Sequence, residues 1–371
     1  MPKKLKNKIR YAVVGLGHIS QVAVLPAFKH AKNSELVALI SSDPVKLKKL
    51  SKKYHVKHTY SYEQYDDCLR SGEIDAIYIA LPNNMHREYT ERAAQAGIHV
   101  LCEKPMAVTE QDSKAMFECA QEHNTKLMIA YRLHFEEGNM QAVKIAQSGK
   151  LGELRLFNSV FTMQVKNKNN IRLQDHLGGG TLYDIGIYCI NAARYIFQDE
   201  PLEVFAFSAN NGDTRFEQVE EMVTAVMRFP KERLATFTAS FGAVGTSMYE
   251  IVGTKGKLRV EPAFEYAEAL KHEITINGKT LKKKFARRDQ FAAELHYFSN
   301  CVLKNEDPQP SGLEGMADVQ IIRALYESAK RGQLVKIHPS HPEKRPNLTR
   351  TIRKPPVQEP TLVNTSSTTK D

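Results

Sequence analysis

Two short stretches of this 371-residue chain concentrate side chains able to move protons. One is Cys102-Glu103-Lys104-Pro105-Met106, and the other runs Gly178-Gly179-Gly180-Thr181-Leu182-Tyr183-Asp184-Ile185-Gly186-Ile187-Tyr188. Asp184 and Tyr188 are four residues apart, so on a helix they share a face and can serve one pocket. A free phenol ionises near pH ~10, and an ammonium beside it favours the phenolate, bringing it toward the range of a general acid or base. Lys104 is the candidate for that ammonium. It would also hydrogen-bond a reacting hydroxyl and stabilise charge growing on its oxygen, with Asp184 orienting Lys104 or a second hydroxyl. Spacing alone equally allows Tyr188 to be a core aromatic beside Tyr183 and Tyr195.

What such a pair acts on depends on what is bound beside it, and the N-terminal residues supply a place for a cofactor. Arg10 to Ser20 reads RYAVVGLGHIS, a strand entering Gly15-Leu16-Gly17-His18-Ile19-Ser20 as a helix begins. Gly15 permits the tight turn, and Gly17 lets a pyrophosphate approach the helix N-terminus, where free amides and the helix dipole favour an anion. Ser20 stands at the third glycine position and is small enough for close packing. The tip of the next strand, Leu39-Ile40-Ser41-Ser42-Asp43, selects between dinucleotides. A carboxylate there would hold the ribose diol of NAD and repel a 2′-phosphate. Ser41 and Ser42 occupy the tip, Asp43 comes late, and Lys46 is near enough to reach a phosphate, so NADP is expected over NAD.

Apolar runs of strand length at Tyr11 to Val14, Leu36 to Ile40, Ile74 to Leu81, His99 to Cys102 and Leu127 to Ala130 alternate with helix-length polar segments. That alternation predicts a doubly wound parallel sheet of the Rossmann type over residues 1–130, because a parallel return needs a crossover of helical length. Cys102 to Met106 then falls at the carboxyl end of a strand, where this architecture puts ligands. From residue 131 to 337 the pattern changes to strands in succession, at Leu154 to Val165, Leu202 to Ser208, Met222 to Phe229, Leu234 to Phe241, Tyr249 to Val252, Leu258 to Val260 and His272 to Ile276. These predict an α+β domain with one large, mostly antiparallel open sheet. Helices are expected at Gly138 to Gln147, Gly180 to Phe197, Asp289 to Leu303 and Gly312 to Arg331. One face of the sheet would be covered by them and the other left for a second subunit, as a homodimer or homotetramer. Residues 338–371 are Pro/Ser/Thr-rich and basic without periodicity, which predicts a disordered tail.

The composition is that of a globular protein, 42% hydrophobic and 25% charged. The net charge of +10 sits mostly at the ends: five Lys/Arg and no acid lie within residues 1–10, and six basic against three acidic residues follow from His338, leaving +2 for the body. A nucleic-acid surface is therefore not expected, and Lys282, Lys283, Lys284, Arg287 and Arg288 read as a solvated face. No apolar run reaches the roughly 18 residues of a membrane span, and the first residues lack the apolar centre of a secretory signal, so a cytoplasmic protein with no membrane partner is expected. Cys68, Cys102, Cys119, Cys189 and Cys301 are odd in number and never spaced C-x-x-C, and neither His55 with His58 nor His338 with His341 has a ligand cluster beside it. Disulfides and a metal site are not indicated.

Leu81-Pro82-Asn83-Asn84-Met85-His86, the Glu103-Lys104-Pro105 triplet, the glycine-triplet segment ending in Tyr188, and a terminal pair of helices resemble, in that order of elements, the glucose-fructose oxidoreductase, inositol dehydrogenase and MocA family. The resemblance spans about residues 8 to 337. The Asp184-Ile185-Gly186-Ile187-Tyr188 form, where other members end in histidine, is similar to the branch containing glucose-fructose oxidoreductase and the dihydrodiol and xylose dehydrogenases. Tyr131-Arg132, Asn191, Arg194-Tyr195, Glu261-Pro262 and Glu314-Gly315-Met316 are similar to glucose-fructose oxidoreductase as well. The resemblance implies an enzyme moving hydride between NADP and a sugar or polyol. It further implies cofactor contacts from Leu81, Pro82, Asn83, His86, Glu103 and Arg172, and substrate contacts from Tyr131, Arg132 and Tyr266. A trans-dihydrodiol or inositol-type dehydrogenase is the alternative, as is a non-catalytic, dinucleotide-dependent regulator, against which the joint presence of Lys104, Asp184 and Tyr188 argues. The short stretch before the first strand leaves no room for the N-terminal arm with which relatives retain their cofactor, so an exchangeable NADP is expected.

Overall fold

The computed structural model describes residues 8–339 and 345–365. Its first sheet comprises β1 (Ile9–Val14), β2 (Ser34–Ile40), β3 (His58–Tyr60), β4 (Ala76–Ile79), β5 (His99–Cys102) and β6 (Leu127–Ile129). They lie in the order β3-β2-β1-β4-β5-β6 with every neighbour parallel. Between them run α1 (Leu25–Ala27, entered through a π-helical segment at Ser20–Val24), α2 (Pro44–Tyr54), α3 (Tyr65–Arg70), α4 (His86–Gln95) and α5 (Glu110–Glu122). Helices cover both faces, so β1 from Tyr11 to Val14 and all of β4 are continuous buried apolar runs rather than alternating ones. The winding reverses between β1 and β4, which opens a crevice at their carboxyl ends.

The second sheet has nine strands: β7 (Leu154–Thr162), β8 (Glu203–Ala209), β9 (Met222–Phe229), β10 (Arg233–Ser240), β11 (Thr246–Gly253), β12 (Gly256–Val260), β13 (Lys271–Ile276), β14 (Lys279–Lys284) and β15 (Val335–Lys336). Their order is β14-β13-β12-β11-β7-β10-β9-β8-β15, and the pairing of β7 with β10 is parallel while the others are antiparallel. Four helices accompany this sheet in the chain, α6 (Glu137–Gln147), α7 (Ile187–Phe197), α8 (Gln290–Lys304) and α9 (Gly312–Arg331). α7 packs on β7 and α9 on β8, and the alternation of β9, buried at Val223, Ala225, Met227 and Phe229 and open between, records which face they cover. The opposite face carries Leu156, Val226 and Leu234 outward.

The basic run at Lys282 to Lys284 is a solvated face, as expected: it belongs to an edge strand, β14, exposed at all six positions, whose lysines discourage further pairing, and Lys282 bonds Glu273 across the ladder. Two other expectations are refined by the packing. The boundary at residue 130 is not a packing boundary. α8 packs on the first sheet, where Phe291, Leu295 and Phe298 join Tyr11 and Val13 in one core and Ser299 bonds Tyr11 and Ser34 at 2.8 Å. α9 lies against α5 and β6 as well. The tail is not disordered over 345–365. It lacks periodicity because it is an extended strap whose backbone and arginines bond the body: Arg345 pairs with Glu200, Arg353 with Glu137 at 2.9 Å, and Ile352 donates its amide to the Phe135 carbonyl. Residues 1–7, 340–344 and 366–371 lie outside the described residues, as does His341.

Candidate active site

The crevice continues into a cleft of about 940 Å³ that runs from Gly17 along the loops after β4 and β5 to the end of the second sheet. At its first end, Gly15 adopts φ +86°, and a Cβ there would meet the Ala80 carbonyl oxygen at 2.3 Å, so the residue is glycine for conformation and for contact. A Cβ on Gly17 would meet nothing within 4 Å, because that side of the loop faces the cleft. Ser20 at the third glycine position is buried and donates to the Gly15 carbonyl, so its hydroxyl braces the turn. Leu16 is buried, while His18 and Ile19 line the cleft. An open cradle of backbone at a helix start fits the pyrophosphate of a dinucleotide.

Ser41, Ser42 and Lys46 stand at the tip of β2, outside the lining of this cleft. The ambiguity posed by Asp43 is resolved by its bonds. Its Oδ1 accepts from the amides of Val45 and Lys46 as the N-cap of α2, and its Oδ2 accepts from Asn364. The Lys46 amide and Asn364 hold this carboxyl below its ordinary range. A carboxylate so engaged is a helix cap and does not offer itself to a ribose diol.

Leu81, Pro82, Asn83 and Glu103 line the middle of the cleft. His86 does not: it is fully buried, with Nδ1 2.9 Å from the Pro105 carbonyl and Nε2 3.0 Å from that of Leu81, so the expected cofactor contact is instead a brace between the β4 and β5 loops. Asn83 donates to the Gly178 carbonyl at 2.7 Å, joining the first sheet's loop to the glycine triplet across the cleft. Gly178, at φ +77°, is where a Cβ would strike Val108 and Asn83. Burial drives the Glu103 carboxyl up, partly offset by Lys104 and by the hydroxyl of Tyr78, which donates to it at 2.7 Å.

The far end holds the proton-handling groups. Asp184 and Tyr188 lie where a π-helical turn, Leu182–Gly186, passes into α7, a local widening of the helix often found at functional positions. Lys104 reaches them from the end of β5. Its Nζ donates to the Asp184 carbonyl oxygen at 2.7 Å and to Oδ1 at 3.1 Å, and lies 4.9 Å from the centre of the Tyr188 ring. Burial disfavours the ammonium, but Asp184, Tyr188 and Glu103 outweigh it and raise its pKa. Arg172 donates to Asp184 Oδ2 at 2.6 Å. Burial likewise disfavours the Asp184 carboxylate, and Arg172 with Lys104 overcomes that to hold it far below the usual range. On the other side of the phenol, the Arg132 guanidinium lies 4.9 Å from the Tyr188 ring centre and 5.4 Å from that of Tyr266, and is held by the Gln290 side chain and the Phe264 carbonyl. Tyr188 thus sits between two cations.

Tyr131 stands behind Arg132. Its ring is buried and stacked on His134; it does not line the large cleft but borders a small adjoining cavity together with Lys104, Arg132 and Tyr188, and burial with Asp318 and Glu314 drives its phenol up. Lining residues that sequence reading missed are Asn167, Asn169, Asn170, Thr246, Glu265 and Glu268. They lie in loops and at the start of β11, at one end of the second sheet, and only the strand order brings those segments together. Among the described residues no cluster of three or more His, Cys, Asp or Glu is placed to hold a metal, and no helix is long and apolar enough to cross a membrane.

A doubly wound sheet whose switch-point cleft ends on a second, open sheet defines a two-part oxidoreductase architecture. Residues 9–131 match the oxidoreductase family with an NAD-binding Rossmann fold, and residues 139–259 match the GFO/IDH/MocA C-terminal domain. The chain belongs to the Gfo/Idh/MocA family. It is 32% identical over 337 residues to a D-xylose 1-dehydrogenase [NADP(+)] of Haloarcula marismortui, covering 89% of this chain and 94% of that protein. Among solved structures, aldose-aldose oxidoreductase from Caulobacter crescentus, complexed with glycerol, superposes with a TM-score of 0.85 at 36% identity, over 89% of this chain and all of that one. A 3-ketoreductase from Actinomadura kijaniata in complex with NADP and TDP-benzene gives 0.79 at 26%, over 87% and 98%.

Proposed function

We propose that this protein is an NADP-dependent oxidoreductase acting on a hydroxyl or carbonyl carbon of a sugar or polyol. The observation that carries the reading is a phenol set between Lys104 and Arg132 at one end of a cleft whose other end is an open glycine cradle. Bound along this cleft, the nicotinamide supplies the hydride acceptor or donor. The Tyr188 oxygen takes the proton from a sugar hydroxyl, or returns it to a carbonyl oxygen. Lys104, kept cationic by Asp184, stabilises negative charge on the same sugar oxygen and on the phenolate. Asp184, itself fixed by Arg172, holds the ammonium in place, and Arg132 on the ring face with Phe161 and Phe264 beside it positions the phenol.

By their own names the relatives above are a D-xylose dehydrogenase, an aldose-aldose oxidoreductase and a 3-ketoreductase, and an NADP-linked aldose or polyol dehydrogenase is the reading that joins them to this cleft. Its test is a screen of aldoses, ketoses, inositols and dihydrodiols against NADP and NAD, read by absorbance of the reduced nicotinamide. Reduction of NADP by one or more aldoses, lost in Tyr188→Phe, is expected. Turnover only with NAD, or full activity in Tyr188→Phe, would overturn it. The same reading places the protein in the cytoplasm as a homodimer or homotetramer, associating through the face that carries Leu156, Val226 and Leu234. Light scattering giving two or four times 42.0 kDa is the expected result.

A further inference from the structure

We infer that the C-terminal strap is part of the nucleotide site, its residues 361–365 forming the outer wall at the adenosine end and setting how fast NADP leaves. The inference rests on the NADP reading above and adds residues to it. From Arg345 on Glu200 the strap crosses α6, where Arg353 meets Glu137, and passes the start of α8, where the Asp289 amide donates to the Lys354 carbonyl. It ends on the elements that would hold the nucleotide. Lys53 of α2 donates to the Thr361 carbonyl at 3.3 Å. Asn364 donates to Asp43 Oδ2 at 3.1 Å, at the tip of β2 beside Ser41 and Ser42. Thr365 lines the cleft together with Gly17, His18 and Ile19.

The strongest link is Gln21, one residue past Ser20 and 1% exposed. Its Oε1 accepts from the Val363 amide at 2.8 Å, and its Nε2 donates both to the Val363 carbonyl at 2.9 Å and to the Leu16 carbonyl at 3.0 Å. One buried amide thereby ties the strap to the glycine loop, pairing with Val363 as a neighbouring strand's peptide would. Without the strap, two of those three bonds would be lost from a group shielded from water, which is costly. Chain laid from the β1 loop to the β2 tip spans the two elements that grip the pyrophosphate and the 2′-phosphate. A nucleotide seated on Gly17 is therefore enclosed by Thr365 on its open side, and its release requires the strap to lift. Leu362 and Val363, packed on the core beneath the first sheet, hold the strap down.

The test uses the full-length protein and two substitutions outside the catalytic groups: Asn364→Asp, which sets a carboxylate against Asp43, and Val363→Pro, which removes the N–H bonded to Gln21. Release of NADPH is followed by stopped-flow fluorescence on displacement with excess NADP. Each variant is expected to release NADPH about tenfold faster than wild type, the equivalent of one hydrogen bond of about 1.4 kcal/mol. In unmodified protein, hydrogen exchange at the Val363 amide is expected to slow when NADP is added, a measurement that needs no variant to fold. Tight NADPH binding with the same release rate in all three proteins, or unchanged exchange at Val363, would overturn the strap's role alone. Failure of the unmodified protein to bind NADPH at all would overturn the NADP reading, and the strap's role with it.

Discussion

At the residue scale, function turns on which charges are fixed before substrate arrives. Lys104, Asp184 and Arg172 form a chain of alternating sign with side chains 12%, 19% and 27% exposed, so each charge depends on its neighbour for solvation. Tyr188→Phe is expected to lower kcat by 10²-fold or more while leaving the dissociation constant for NADPH within about twofold, since the phenol belongs to the proton step. Asp184→Asn removes the anion between two half-buried cations. It should cost roughly 3 kcal/mol of stability as well as activity, read as a lower urea midpoint, and Asp184→Glu should recover part of both. Of this site, the convergence of Lys104, Asp184 and Tyr188 was legible, because each sits in a run of distinctive spacing. The flanking of Tyr188 by Arg132 was not, since it depends on Gln290 and Phe264 holding the guanidinium from distant elements. Tyr131 stands off the large cleft for a local reason: adjacent residues at a strand's end point to opposite sides, and Arg132 takes the cleft side while Tyr131 takes the interior, beside the small cavity that Lys104 and Tyr188 also border.

At the scale of elements, the two glycines of the first loop separate folding from binding. Gly15→Ala would force a methyl onto the Ala80 carbonyl at positive φ, and should lower the melting temperature by several degrees or prevent folding. Gly17→Ala meets only open space in the protein, so it should melt like wild type and yet lose NADPH affinity at least tenfold, measured by calorimetry. The elements themselves were readable where burial gives a clear period: β9 and α9 coincide with their expected ranges, and β10 lies one residue away. β3 and β15, three and two residues long, are too short to show a period, and β14 is exposed throughout, so no apolar alternation marks it. The amphipathic pattern of α8 reveals an apolar face but not which sheet it covers, and the strap has no pattern because its bonds are made by the backbone and by scattered arginines.

For the molecule as a whole, acid sensitivity follows from imidazoles that folding keeps neutral. His134 is buried against Asn191, and desolvation lowers its pKa to about 4. Because the unfolded chain binds this proton first, near pH 6.5, stability is present above that value and falls as pH drops toward about 4, by roughly 1.4 kcal/mol per unit. Asp318 nearby is raised to about 6 and acts in the opposite sense below that pH, so the histidine is isolated by comparison. Urea unfolding of wild type and His134→Gln at pH 7 and pH 5 should show the variant losing about 2 kcal/mol less over that interval. An equal loss in both proteins would assign the acid sensitivity to other groups.

The docking of α8 on the first sheet carries a consequence for anyone who would shuffle this enzyme's parts. A fragment cut at residue 130 exposes the seat of Phe291, Leu295 and Phe298, with the hydroxyls of Tyr11 and Ser34 left facing water beside an apolar trough. Such a fragment should aggregate when expressed alone, and a chimera that borrows its nucleotide half from a relative must borrow the relative's counterpart of residues 290–304 along with it. The inheritable unit is thus discontinuous: the chain returns, after building an entire second sheet, to finish the first.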